Sequence, residues 1–158
     1  MKRAAGLLLC RIDEGELQVF LVHPGGPFWA KKDEGAWSIP KGLVEDGEDM
    51  LEAAKRELFE ETGVVPPSGP YEPLGEVTLR SRKRVAAWAV AGDADPSAIV
   101  SNEIEVEWPP RTGRTIRVPE ADRAAWLGRA DALRKIAEGQ RPLIERAFAP
   151  VIRARVFL

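Results

Sequence analysis

A chain of 158 residues with 44% hydrophobic and 30% charged residues can bury a core as one domain, residues 1–158, without covalent staples. Its net charge of −2 gives no broad pull toward nucleic acid or a membrane surface. Cys10 is the only cysteine and His23 the only histidine, which excludes an internal disulfide and disfavours histidine-rich metal sites and Ser–His hydrolysis.

Arg3 to Ile12 reads as a buried strand, and its apolar run, Ala4 to Cys10, is too short to span a membrane. Asp13 to Glu16 is a turn, and Leu17 to Val22 returns as a second strand. His23-Pro24-Gly25-Gly26-Pro27 breaks the pattern and opens a loop to Gly35 that carries Phe28, Trp29, Lys31 and Lys32. Ala36 to Pro40 is expected as a short strand leading to Lys41-Gly42. Asp49 to Thr62 reads as a helix, with Asp49 as N-cap and Gly63 at the left-handed C′ position. Pro66 to Pro70 is a stiff linker. Tyr71 to Arg80 and Arg84 to Ala91 are strands joined by a basic tip, Ser81-Arg82-Lys83. Such a tip either guards a sheet edge or meets a phosphate, with Arg80 beside it.

Ala94 to Ala98 is a loop. Ser101 to Trp108 alternates, with Glu103, Glu105 and Glu107 on one face and Ile104, Val106 and Trp108 on the other. Thr115 to Val118 pairs back as a hairpin, and Arg123 to Leu127 is a last strand. Ala130 to Ala137 and Arg141 to Phe148 read as helices separated by Gly139. The tail Val151 to Leu158 alternates apolar and basic residues, which suits an edge or a subunit contact. The pattern predicts an α+β fold with a mixed β-sheet between helices.

Chemistry concentrates between Gly42 and Val64. Leu51, Ala54 and Leu58 form one helical stripe, and Glu57, Glu60 and Glu61 stand at i, i+3 and i+4 beside it. Those carboxylates are expected at the rim of the core, where like charges repel unless a cation shares the space. Oxygen ligands favour Mg²⁺ or Mn²⁺. The bland alternative is a solvated helix with pairs such as Glu52–Arg56. Read in full, the segment is Gly42, five residues, Glu48, seven residues, Arg56-Glu57-Leu58, one residue, Glu60-Glu61, one residue, Gly63-Val64.

This segment resembles the complete signature of the Nudix hydrolases. The resemblance implies a Nudix-type α/β/α sandwich and metal-dependent hydrolysis of a pyrophosphate bond in a nucleoside diphosphate-linked small molecule. It assigns metal binding to Glu57, Glu60, Glu61 and the Gly42 carbonyl. It makes Arg56 and Glu48 the pair that orients the ligands, and Lys41 a phosphate contact. The general base falls to Glu60, then to Glu105, Glu103 or Glu107. Trp29 and Trp37 could stack on a base or pack in the core. The tyrosine or proline that marks some subgroups is absent from Leu79 to Arg82. A (d)NTP pyrophosphohydrolase is therefore expected first and a dinucleoside polyphosphate hydrolase second. A non-catalytic nucleotide-binding regulator is the reading from another class. A cytoplasmic protein is expected, without nucleic-acid or membrane partners; the family contains monomers and dimers, and the tail suits a homodimer.

Overall fold

The computed structural model describes residues 2–157. Two strands open the chain, β1 (Arg3–Asp13) and β2 (Glu16–Pro24), followed by the short β3 (Lys41–Leu43) and the helix α1 (Met50–Thr62). Then come β4 (Glu72–Thr78), β5 (Arg84–Ala91), β6 (Glu103–Glu107), β7 (Thr115–Pro119) and β8 (Ala121–Leu127). Three short helices close the order: α2 (Arg129–Lys135), α3 (Arg141–Ala147) and α4 (Pro150–Val156).

The main sheet runs β4-β5-β1-β2-β8, with β3 added to β1. β1 and β5 are parallel and the other pairs antiparallel, so the sheet is mixed as expected. The unbroken apolar run of β1 follows from burial on both faces. Leu7 and Leu9 join Phe20, Val90 and the α1 residues Ala53, Ala54 and Leu58 on one side. Leu8 and Cys10 join Val19, Leu21 and residues of α2, α3 and α4 on the other. The result is an α/β/α sandwich. Among the described residues, no helix is long and apolar enough to cross a membrane.

Two expectations need correction. Residues 36–40 do not form a strand. Ser38 makes only an isolated bridge to Val22, and the strand begins at Lys41 instead. Pro40 has no N–H to donate, so a ladder cannot run through it. The segment is held from the side: the buried Gln140 accepts the Ile39 N–H at 3.0 Å. The tail is also not an edge strand; residues 150–156 form α4, and Leu158 lies outside the described residues. Ile152 and Val156, four residues apart, turn one helical face inward, so the helical period won over the alternation of two.

Among the described residues, β6 and β7 pair only with each other, as a ribbon apart from the main sheet. Glu103, Glu105 and Glu107 are all exposed on it. The ribbon starts beside α1, because the Asn102 N–H donates to the Glu60 carbonyl at 2.8 Å. It ends at Glu120, whose N–H returns to the Asn102 carbonyl at 2.9 Å.

Candidate active site

The site is built where α1 meets β3. Asp49 caps the helix, its side chain accepting the Glu52 N–H at 3.2 Å. Gly63 ends it with φ 77°, a left-handed conformation that glycine adopts without strain. Between these ends the apolar stripe of Ala54 and Leu58 is pressed onto the sheet. That contact fixes the rotation of the helix and draws the adjacent acids inward. Glu57 is 6% exposed and Glu61 7% exposed, while Glu60 stays half-exposed.

Gly42 on β3 faces Glu57. A Cβ at this position would come within 2.0 Å of the Glu57 carboxyl carbon, so only glycine lets strand and carboxylate approach so closely. One residue earlier, the Lys41 N–H donates to Glu61 Oε2 at 2.7 Å. The three-residue strand thus presents a backbone N–H to one buried acid and an open backbone to the other.

Arg56 organises the acids from outside. Its Nε and Nη2 grip Glu48 at 2.9 and 3.0 Å. Nη1 donates to Glu57 at 2.8 Å and to Glu60 at 3.1 Å, and Nη2 also donates to the Leu43 carbonyl at 3.0 Å. One planar fork therefore fastens the loop before the helix to two of the helix acids. Arg56 holds the Glu48 carboxyl down to about 2.

Electrostatics single out Glu61. Burial, reinforced by the charge of Glu120, pushes its carboxyl up to about 9. Burial also raises Glu57, against the pull of Arg56. Lys41 is lowered by burial and by Lys83, against the acids Glu61, Glu120 and Glu57. Burial thus outweighs the nearby Arg56 and Lys41 in raising the proton affinity of both carboxyls.

The residues present suit a hard cation: every donor is oxygen, two carboxyls are withdrawn from water, and glycine keeps the space beside Glu57 open. Among the described residues no three acidic, histidine or cysteine side chains converge as a ready ligand cluster. Arg56 instead holds Glu57 and Glu60, and Lys41 holds Glu61.

The structure thus gathers Lys41, Gly42, Glu48, Arg56, Glu57, Glu60 and Glu61. Other expected residues lie apart. Trp37 is 4% exposed, donates Nε1–H to Asp33 at 2.7 Å and packs edge-on to His23; this corrects the expectation that it stacks on a base. Trp29 is half-buried against the core. Arg80 is exposed at the β4–β5 turn. Glu105 is exposed, in register with Arg117, and no ion pair or hydrogen bond among the described residues links it to α1. Glu107 accepts N–H bonds from Arg111 and Gly113, and Glu103 pairs with Arg117.

Sequence reasoning missed Glu120. It stands alone between β7 and β8, outside any periodic pattern, and reaches the site only because the ribbon folds back onto α1. Its position just before a strand is the one local signal, and that signal is shared by many surface acids.

The chain is similar to several known proteins. Nudix hydrolase 25 of Arabidopsis thaliana is 68% identical over 31 residues, 20% of this chain and 18% of that protein. An RNA pyrophosphohydrolase of Caulobacter vibrioides is 47% identical over 51 residues, 29% of this chain and 30% of its own. The chain thus spans less than a third of either relative. The RNA pyrophosphohydrolase of Aeromonas hydrophila matches at 27% identity over 92% of this chain and 82% of its own. Among solved structures, the NUDIX domain of Shewanella oneidensis NrtR with ADP ribose superposes with a TM-score of 0.63 at 21% identity, covering 92% of this chain and 84% of that one. A C. elegans Ap4A hydrolase follows at a TM-score of 0.59 and 23% identity, over 92% and 94%. These two likenesses show the fold. The NUDIX domain family model matches residues 1–147, nearly the whole chain, and the protein belongs to the Nudix family.

Proposed function

We propose that this protein hydrolyses a pyrophosphate bond in a nucleoside diphosphate-linked substrate, with a (d)NTP as the first candidate, and that it needs a divalent cation. The observation that carries the reading is the burial of Glu57 and Glu61 beside Gly42. Two carboxyls taken out of water at a backbone approach that only glycine permits are costly unless a cation shares the space.

Glu57, Glu61, Glu60 and the Gly42 carbonyl would hold Mg²⁺ or Mn²⁺. Such an ion, when bound, neutralises phosphate charge and acidifies water. The chain's own residues do the rest. Arg56, braced by Glu48, keeps Glu57 and Glu60 from turning away. Lys41, half-buried beside the acids, offers a point charge to a phosphate oxygen. Glu60 remains the first candidate base, half-exposed at the edge of the site. Glu120 is the second, because its charge already bears on Glu61 and Glu57. Glu105 ranks behind both because it faces solvent on the ribbon.

A second substrate reading comes from the relatives' names: a triphosphorylated RNA end presents the same phosphate chain as a nucleoside triphosphate. The test is a panel of (d)NTPs, diadenosine tetraphosphate, ADP-ribose and triphosphorylated RNA with Mg²⁺, with products resolved. Release of pyrophosphate and a nucleoside monophosphate from a (d)NTP is expected. Preferred cleavage of RNA or the dinucleotide would move the assignment to that class. Tight binding without turnover of any substrate would overturn the enzymatic reading in favour of a regulator.

A further inference from the structure

The alternation of Ile104, Val106 and Trp108 remains unexplained by the metal-side chemistry. On an isolated two-stranded ribbon, an apolar row has no sheet of its own to cover it. The structure turns this row toward the loop that follows β2. Together they enclose a cavity of about 220 Å³, with Phe28 and Trp29 on the loop side, Ile104, Val106 and Trp108 on the ribbon side, and Glu120 at its border. Glu120 is tied to α1 through the backbone: its N–H donates to the Asn102 carbonyl at 2.9 Å, and the Asn102 N–H donates to the Glu60 carbonyl at 2.8 Å. The cavity therefore opens beside the phosphate chemistry.

Its walls are held by backbone. The Gly25 N–H donates to the Glu120 carbonyl at 3.2 Å, and a Cβ on Gly25 would lie 2.0 Å from the Pro119 carbonyl oxygen. The far part of the loop is pinned from beneath by the buried His23. Its Nδ1 lies 2.8 Å from Asp122 and its Nε2 2.6 Å from the Lys32 carbonyl. The Lys32 ammonium sits 3.5 Å above the Phe28 ring and 5.3 Å from that of Trp29, fixing the aromatic pair. Drug-sized ligands take roughly 300–1,000 Å³. A smaller cavity suits one flat ring system, with the rest of the ligand outside it.

We propose that this cleft binds the nucleobase of the substrate, stacked against Trp108 and Phe28, so that the phosphates pass Glu120 toward Lys41 and the α1 acids. The proposal rests on the nucleotide-substrate reading above but is tested without turnover. Aromatic stacking tolerates every base, so the cleft favours nucleotides as a class over bare phosphates.

The experiment compares binding of α,β-methylene-ADP and methylenediphosphonate, which share the phosphate part and differ by the nucleoside, to the whole protein with Mg²⁺. The wild type is expected to bind the nucleotide more tightly. Trp108→Ala and Phe28→Ala should weaken nucleotide binding by roughly fivefold or more and leave the diphosphonate unchanged, with Trp108→Phe restoring most of the difference. Unaltered thermal melting of Trp108→Phe keeps the comparison free of misfolding. Equal wild-type affinity for the two ligands, or equal losses on both in the variants, would overturn the cleft. A nucleotide preference that Trp108→Ala abolishes, in a protein that hydrolyses nothing in the panel, would retain the cleft and overturn the enzyme instead.

Discussion

Two acidic patterns stand in this chain, and the fold treats them oppositely. On α1, Glu57 and Glu61 are buried, gripped by Arg56 and the β3 backbone, and raised in proton affinity. On β6, Glu103, Glu105 and Glu107 are exposed, and the partners of Glu103 and Glu107 are surface groups of the same ribbon. A charge gains chemical leverage when it is withdrawn from water and held still. The same charge on a ribbon facing solvent is screened and costs little to keep. Both patterns bring acids close in sequence; only the first lies next to an apolar stripe that the core demands.

Glu61→Gln tests this difference most strongly. It should reduce kcat by at least ~10²-fold in the nucleotide panel while the fold, followed by circular dichroism, persists. A variant with wild-type turnover would remove the helix from the chemistry. Next, Arg56→Lys keeps the charge but not the fork that reaches Glu48, Glu57 and Glu60 together. A loss of about 10–100-fold in activity or metal affinity is expected, measured by titrating Mg²⁺ or Mn²⁺. Gly42→Ala should fall in the lower part of that range, because the Glu57 carboxyl must yield to the new Cβ.

A smaller effect is a pH slope in stability. Glu61 rises from an ordinary 4.5 to about 9 in the fold, so between these values the folded protein holds a proton that the unfolded chain has released. The stabilisation is complete below the lower value and is lost as pH rises through the upper one. In the presence of a chelator, melting temperature from this group should therefore fall between about pH 5 and pH 9, and Glu61→Gln should flatten the slope. Glu48 has the opposite sign, its stabilisation disappearing as pH falls toward about 2, outside that window. Added Mg²⁺ should restore stability at the alkaline end, since a bound ion stabilises only the folded state. The smallest expected effect is that of Glu105→Gln, a change below about threefold in kcat/KM. A loss as large as that of Glu61→Gln would break the comparison by placing a ribbon acid in the reaction.

Much of the site was legible because it is local. Asp49, the stripe through Leu58 and Gly63 define a helix by neighbour interactions, and the helical period then sets Glu57, Glu60 and Glu61 beside the stripe. Trp37 was not legible. An indole five residues before the box could face solvent or core, and the outcome depends on Asp33 in the preceding loop and His23 at the end of β2 reaching it. The tail misled because Ile152 and Val156 satisfy a helix while the residues between them also alternate. The apolar row of the ribbon was visible, but not the aromatic loop that faces it across the cleft.

The helix, its caps, the order of its acids and the Nudix signature can be read from the chain alone, because those depend on residues within a few turns of one another. The depth at which Glu57 and Glu61 are buried, the approach of Glu120 and the facing of the ribbon toward Phe28 come from the folded arrangement. Burial and convergence depend on the pairing of distant strands. Short-range periodicity says which side of an element is apolar, and says nothing of which other element will cover it.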